Sequence, residues 1–267
     1  MMPAEFNEIS PAKINLFLKI ISKRDDGYHN LRSGVTLINL HDEVSAQKSS
    51  AFKVKYTGEF APPDNSFKDC IVEKIFSKFK IVKPQYSFTI KKNIPVKSGL
   101  GSASSNAAAV LRILKKLDYK EVKTINFSAI GADVPLFVEN QDSLVRGIGD
   151  ITIKQSFPKY YFLLIKPIQN CSTEEMYNEI NVNAIKFDLN FDTDEISEFD
   201  MGNDFEVIAD RKYPEISTLL KFMRGLSDVI FSRLTGSGSC IYSAFEKKDS
   251  AEKALNLFKE RFSDHWA

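Results

Sequence analysis

A chain of 267 residues, 43% of them hydrophobic, is long enough for two domains or one large one and can furnish real cores. Its formal net charge of +1 gives no sign of wholesale binding to nucleic acid or to a membrane surface. No apolar run approaches the roughly 18 residues that suggest a membrane span, and with three histidines no Cys/His cluster has zinc spacing. Met1-Met2-Pro3-Ala4-Glu5-Phe6 lacks the basic start and apolar middle of a secretory signal. Cys70, Cys171 and Cys240 are odd in number and far apart, which suits free thiols in a reducing compartment. A cytoplasmic protein is expected.

The first clear element is a strand over residues 12–20. Ala12, Ile14, Leu16, Leu18 and Ile20 share one face, and Lys13, Asn15 and Lys19 share the other. Asp25-Asp26-Gly27 reads as a turn, and residues 35–40 and 52–56 as further strands. Pro62-Pro63-Asp64-Asn65 is a loop that starts a helix around residues 71–79. Tyr86-Ser87-Phe88-Thr89-Ile90 alternates again as a strand.

A loop of small residues follows, Pro95-Val96-Lys97-Ser98-Gly99-Leu100-Gly101-Ser102-Ala103-Ser104-Ser105, and runs straight into a strong helix former. Little side-chain bulk lets a ligand approach the backbone, and the helix start offers unpaired N–H groups with a partial positive charge. This combination is an anion site, best suited to phosphate. No Gly-Lys-Ser/Thr ends it, so it is not a Walker A loop. Ser104 stands where the dinucleotide fingerprint needs a third glycine. Ala107, Val110, Leu111, Leu114 and Leu117 mark the buried helix face, and Ser104, Ser105 or Asn106 is expected to cap its start.

Farther on, Gly131 and Pro135 bracket Asp133 in a stretch where irregular backbone is expected. Residues 145–150 are a turn-rich connection, and a domain boundary is placed at 156–159. The apolar run 160–165 reads as a fully buried strand. The acidic region 187–204 reads as a solvated loop. A second Gly/Ser loop, Leu234-Thr235-Gly236-Ser237-Gly238-Ser239, leads into a strand at 240–245, and a last helix covers about 250–262.

Five segments, taken together and in this order, resemble the GHMP kinases. They are Pro11-Ala12-Lys13-Ile14-Asn15-Leu16, Asp26-Gly27-Tyr28-His29-Asn30-Leu31, the loop at 95–106, Gly131-Ala132-Asp133-Val134-Pro135, and Leu234-Thr235-Gly236-Ser237-Gly238-Ser239-Cys240. The resemblance implies a mixed α/β (α+β) fold, with a ribosomal-S5-like domain at 1–157, a ferredoxin-like domain at 158–267, and the active site in the cleft between them. It implies ATP-dependent phosphoryl transfer to a hydroxyl of a cytidine-diphosphate-linked methylerythritol, with Mg2+ offsetting phosphate charge through protein ligands that the sequence does not identify. A small-molecule substrate, no nucleic acid or membrane partner, and a monomer or weak homodimer are expected.

By the same resemblance, residues 95–105 hold the ATP phosphates, Asp133 is the general base and Lys13 its cationic neighbour. Asn15 contacts the substrate, Tyr28 and His29 recognise the cytosine, and Tyr177 adds a second aromatic wall. Thr235, Gly236 and Ser237 line the cleft. Lys97, Ser98, Ser102 and Ala103 depart from the family by standing where glycines are common. Another GHMP kinase acting on homoserine, mevalonate or a sugar, or a non-catalytic nucleotide- or RNA-binding module, are the competing readings.

Overall fold

The computed structural model describes residues 5–63, 70–180 and 202–267. Its backbone is a long hairpin, with β1 (Glu5–Lys23) antiparallel to β2 (His29–Lys48) over nearly their whole lengths. Register shifts between Pro11/Lys13, Asn15/Phe17 and Ile20/Ser22 break the ladder. Irregularities of this kind bend and twist a strand and re-aim its side chains. Here they lie on either side of Lys13 and Asn15.

The hairpin is wide enough to carry other strands at both ends of β2. One end pairs with β4 (Tyr86–Lys91), which pairs in parallel with β3 (Lys53–Thr57). The other end pairs with β5 (Ser143–Arg146), then β6 (Ile151–Lys154). A second sheet, ordered β7-β9-β8, is formed by Tyr161–Ile165 (β7), Phe231–Leu234 (β8) and Ile241–Phe245 (β9). Being at the edge, β7 leaves Tyr161 48% exposed, so the expectation of a fully buried strand is corrected.

The helices are α1 (Ile71–Lys78), α2 (Ser102–Lys116), α3 (Val134–Glu139), α4 (Thr173–Asn178), α5 (Phe205–Lys212), α6 (Pro214–Arg224) and α7 (Lys248–Arg261). The expected apolar face of α2 is buried, and so are Ala108, Ala109 and Ile113, because α1, α3 and the first sheet all pack on it. A helix enclosed on several sides has no polar stripe to show at those positions. It starts at Ser102, with Gly101 in the N-cap position at φ 77° and no side-chain cap. Ser104, Ser105 and Asn106 therefore lie inside the helix and do not cap it. The short stretch after α2 holds two 3-10 turns, Lys120–Lys123 and Phe127–Ala129.

Three apolar clusters hold the elements together. One packs Val44, Phe76, Phe88, Val110 and Leu114 beneath α1 and α2. A second joins Leu18, Ile20 and Val35 of the hairpin to Leu163, Phe205 and Phe245. A third sets Ile14, Leu16 and Leu100 against Cys240 and Tyr242. The Tyr242 hydroxyl donates to the Asn15 carbonyl (2.9 Å), so β9 reaches the strand that carries Lys13. All three cysteines are free. Among the described residues no helix is long and apolar enough to cross a membrane.

Candidate active site

Two residues of the polar face of β1 are buried, while Lys19 stays partly exposed. Lys13 and Asn15 are each 5% exposed, covered by the loop before α2 and by the turn after β8. Lys13 donates from its backbone N–H to the Leu100 carbonyl (3.0 Å) and from Nζ to Asn15 Oδ1 (2.5 Å). Its Nζ lies 3.8 Å from Asp133 Oδ2. Burial pushes the Lys13 pKa below its ordinary value, and the Asp133 carboxylate acts in the opposite direction.

Asn15 is fixed from three sides. Its backbone N–H donates to Thr235 Oγ1 (3.1 Å), its Nδ2 to Ser33 Oγ (2.8 Å), and its Oδ1 accepts from Lys13 and from Thr235 Oγ1 (3.3 Å). Ser33 in turn donates to the Phe17 carbonyl (2.5 Å). A side chain with every polar atom engaged holds one rotamer, which is what positioning requires.

Asp133 occupies the N-cap position of α3 in an ordinary right-handed conformation (φ −79°, ψ −6°). The irregular backbone expected there is absent; Pro135 simply sits in the first turn of the helix. The carboxylate makes no capping bond and is 38% exposed, so it is held toward the cleft and not folded back on its helix. Gly149, in the turn between β5 and β6, comes against it: a Cβ there would lie 3.4 Å from Asp133 Oδ1.

The loop before α2 is threaded through a narrow gap. Gly99 and Gly101 both have φ 77°. A Cβ on Gly99 would stand 2.3 Å from the Thr235 carbonyl oxygen, and one on Gly101 2.6 Å from the Phe137 ring. Ser98 Oγ donates to the Pro95 carbonyl (2.7 Å), and the Ser98 carbonyl accepts from Cys240 N–H (3.0 Å). Ser102 is drawn into a buried cluster, donating to Asp42 Oδ2 (2.7 Å) and accepting from Lys92 Nζ. Asp42 Oδ1 also accepts the N–H groups of Asn93 (2.7 Å) and Ile94 (2.8 Å). The cluster ties the end of β4 to the first residue of α2.

Lys97 adopts φ 53°, a left-handed conformation that costs a side-chain-bearing residue about 1–2 kcal/mol. Lys97→Gly releases that strain, less about 0.5–1 kcal/mol for the freer unfolded chain. The expected result is a stability gain of about 1 kcal/mol or less, read as a melting midpoint raised by roughly 2 °C. A midpoint lowered by several degrees would mean that the lysine side chain itself braces the loop.

Two cavities meet at this loop. One, of about 540 Å³, is bordered by Lys13, Asn15, Tyr28, His29, Asp133, Tyr177, Gly236 and Ser237. The other, of about 410 Å³, is bordered by Pro95, Val96, Lys97, Ser98, Ser102 and Ala103, with Lys92 at its wall. Gly99, Gly101 and Ser104 border both. Leu100 and Ser105 border neither. Leu100 is buried in the core beneath the loop, and the Ser105 hydroxyl is buried without a partner among the described residues.

His29 is 5% exposed on the wall of the larger cavity, and its Nε2 has no hydrogen-bond partner among the described residues. Burial, with the Lys23 ammonium nearby, lowers its pKa and keeps the ring neutral at pH 7. Its ring lies 5.4 Å from that of Tyr177, tilted by 30°. Tyr177 also packs edge-on against Phe205 at 4.8 Å, and burial raises its pKa. Tyr28 is 59% exposed at the rim. Thr173 and Ser237 share a hydroxyl hydrogen bond (2.9 Å) that ties α4 to the turn after β8.

Sequence reasoning passed over Ser33, Gly149 and the Asp42–Lys92 pair. Ser33 carried only a weak signal, one small polar residue in a strand that also holds His29, Asn30 and Arg32. Among the described residues no group of three or more His, Cys, Asp or Glu side chains is arranged to hold a metal ion.

Comparison with known proteins bears on the family and the fold. The GHMP kinases N terminal domain matches residues 65–152, and the GHMP kinases C terminal domain matches 190–264. A 4-diphosphocytidyl-2-C-methyl-D-erythritol kinase of Francisella philomiragia subsp. philomiragia is 36% identical over 246 residues, covering 88% of this chain and 86% of that protein. One from Pelagibacter ubique is 30% identical over 277 residues, covering 96% and 95%. A crystal structure of 4-(cytidine 5'-diphospho)-2C-methyl-D-erythritol kinase superposes with a TM-score of 0.76 at 24% identity, covering 98% of this chain and 97% of that one. Methanococcus jannaschii mevalonate kinase has the same fold, with a TM-score of 0.63 at 15% identity and 98% and 96% coverage. With such matches spread along nearly its whole length, this chain belongs to the GHMP kinase family.

Proposed function

We propose that this kinase transfers the γ-phosphoryl group of ATP to the methylerythritol hydroxyl of 4-diphosphocytidyl-2-C-methyl-D-erythritol, a step of isoprenoid precursor synthesis. The observation that carries the reading is the junction of the two cavities at Gly99, Gly101 and Ser104, with Lys13 and Asp133 on the acceptor side. The smaller cavity takes the nucleotide, and the larger takes the cytidine-linked acceptor.

Phosphoryl transfer needs positioning and charge stabilisation more than covalent chemistry. The uncapped start of α2 and the backbone of the loop from Val96 to Ser104, Leu100 apart, supply N–H donors for phosphate oxygens. Asp133 takes the proton of the attacking hydroxyl. Lys13, 3.8 Å from that carboxylate, counters charge on the group in transit. Asn15 orients the acceptor. On the opposite wall Tyr177 and Tyr28 offer ring faces to the cytosine, and the free Nε2 of His29 meets its polar edge.

Mg2+ fits a donor set of this kind if it is held chiefly by the phosphates, as that ion commonly is; Ser104, which borders both cavities, would be a protein oxygen available to it. When bound, the ion offsets phosphate negative charge.

ADP release measured across a panel of acceptors tests the reading. Turnover is expected with the cytidine-diphosphate-linked methylerythritol and none with homoserine or mevalonate. Comparable turnover of several acceptors would overturn the assigned substrate while leaving the kinase assignment standing.

A further inference from the structure

Asn203 borders neither cavity, yet it is 5% exposed and every polar atom of its side chain is used. Its single Nδ2 donates to two carbonyls of one turn, those of Leu234 (2.8 Å) and Gly236 (2.8 Å). Its Oδ1 accepts from Phe205 N–H (3.0 Å) at the start of α5. A planar amide with one hydrogen on each carbonyl fixes both the spacing and the tilt of the turn it grips.

The backbone on either side of Asn203 is fastened to the strand that carries Lys13 and Asn15. Leu18 N–H donates to the Gly202 carbonyl (3.0 Å), and Asp204 N–H donates to the Leu18 carbonyl (3.0 Å). The Asp204 carboxylate accepts from Ile20 N–H (2.7 Å) and pairs with the Lys19 ammonium. Residues 202–204 thus form a strap between α5 and β1, so Asp204 departs from the solvated loop expected of the acidic region. Residues 187–201 of that region lie outside the described residues.

The gripped turn is the one packed on the site. A Cβ on Gly236 would lie 3.3 Å from Lys13 Nζ and 3.5 Å from Asn15 Oδ1. Thr235, between the two gripped carbonyls, holds Asn15 through its hydroxyl. We propose that Asn203 is a positioning residue for phosphoryl transfer, clamping the 234–236 turn so that Gly236 and Thr235 hold Lys13 and Asn15 in register with Asp133. The proposal rests on the reading of that junction as the place of transfer. Loss of the clamp lets the turn drift, and a displacement of about 1 Å at a reacting centre can cost about 10²-fold in rate.

The test compares two substitutions on the same strap in the full chain. Asn203→Ala removes the clamp. Asp204→Ala removes the contacts to Lys19 and Ile20 but leaves the turn gripped. Steady-state ADP release and melting temperature are measured for both. Asn203→Ala is expected to lower kcat by about 30- to 100-fold, with the KM for ATP within about threefold of the parent. Asp204→Ala is expected to lower the melting temperature with kcat within about threefold.

Equal losses of kcat in the two variants, or a parent-like kcat in Asn203→Ala, would overturn the proposal. Should Asn203→Ala not fold, Asn203→Gln gives the same reading, because it keeps the donors but displaces them by one methylene. A folded Asn203→Gln protein with reduced kcat supports the clamp, and one with parent kcat overturns it. Asp133→Asn assayed alongside separates the two claims, since full transfer by that variant would refute the reading of the junction whatever Asn203 does.

Discussion

Asp133→Asn is expected to lower kcat by about 10²–10⁴-fold, equivalent to about 3–5 kcal/mol of transition-state stabilisation, with ATP affinity changed by less than about threefold. The amide has the shape of the carboxylate but cannot take the hydroxyl proton at neutral pH. It also removes the charge that offsets the desolvation of Lys13, a residue 5% exposed whose ammonium has no other ion-pair partner among the described residues. Both effects fall on the chemical step. Asp133 itself adds little to the fold, since it makes no capping bond to α3 and its side chain is 38% exposed; what stability is lost comes through the buried Lys13 left without its anion. Steady-state ADP release gives the rate, and calorimetric titration with a non-hydrolysable ATP analogue gives the affinity. Retained kcat would place the base elsewhere or show that the hydroxyl loses its proton without one.

Gly99→Ala is expected to be the most damaging single-methyl change in the loop. The new Cβ would stand 2.3 Å from the Thr235 carbonyl oxygen, which is backbone and cannot swing aside as a side chain can. The left-handed conformation at φ 77° adds about 1–2 kcal/mol for any residue bearing a Cβ. With overpacking of about 1–3 kcal/mol, the total loss is about 2–5 kcal/mol, or roughly 5–15 °C in the melting midpoint. The loop borders both cavities and Thr235 holds Asn15, so the displacement reaches donor and acceptor together. The KM for ATP is expected to rise more than about tenfold with kcat falling as well. A variant with parental melting temperature and kinetics would show that the loop and turn are less tightly apposed than the backbone distances state.

The order strand, loop and helix around residues 86–116 was legible because each piece carries its own signal: alternation in β4, small residues in the loop, three-and-four spacing in α2. The start of α2 was misplaced for a local reason. Serines and asparagine are good caps on average, but the left-handed Gly101 ends the loop earlier, so the helix begins at Ser102. The edge position of β7 depends on which strand lies beyond it, and no local pattern records that.

The candidate site was legible only in part. Periodicity put Lys13 and Asn15 on one face of a strand, but their burial comes from a turn more than two hundred positions later in the chain. The juxtaposition of Lys13 with Asp133 came from the family resemblance, because tertiary proximity leaves no periodic trace. Asp204 reads as one more solvated carboxylate in an acidic run. It is nevertheless buried against β1, where a lysine ammonium and a backbone amide both need an acceptor.

The third apolar cluster constrains how ligands reach the cleft. Ile14, Leu16 and Leu100 from one sheet and its loop pack on Cys240 and Tyr242 from the other. At about 1.5–3 kcal/mol for each side chain uncovered, prising these five apart would cost roughly 8–15 kcal/mol, comparable to the entire stability of an ordinary domain. A hinged opening of the two walls would have to break this contact. Small movements of the rim leave it intact, and the turn bearing the exposed Tyr28 lies at that rim.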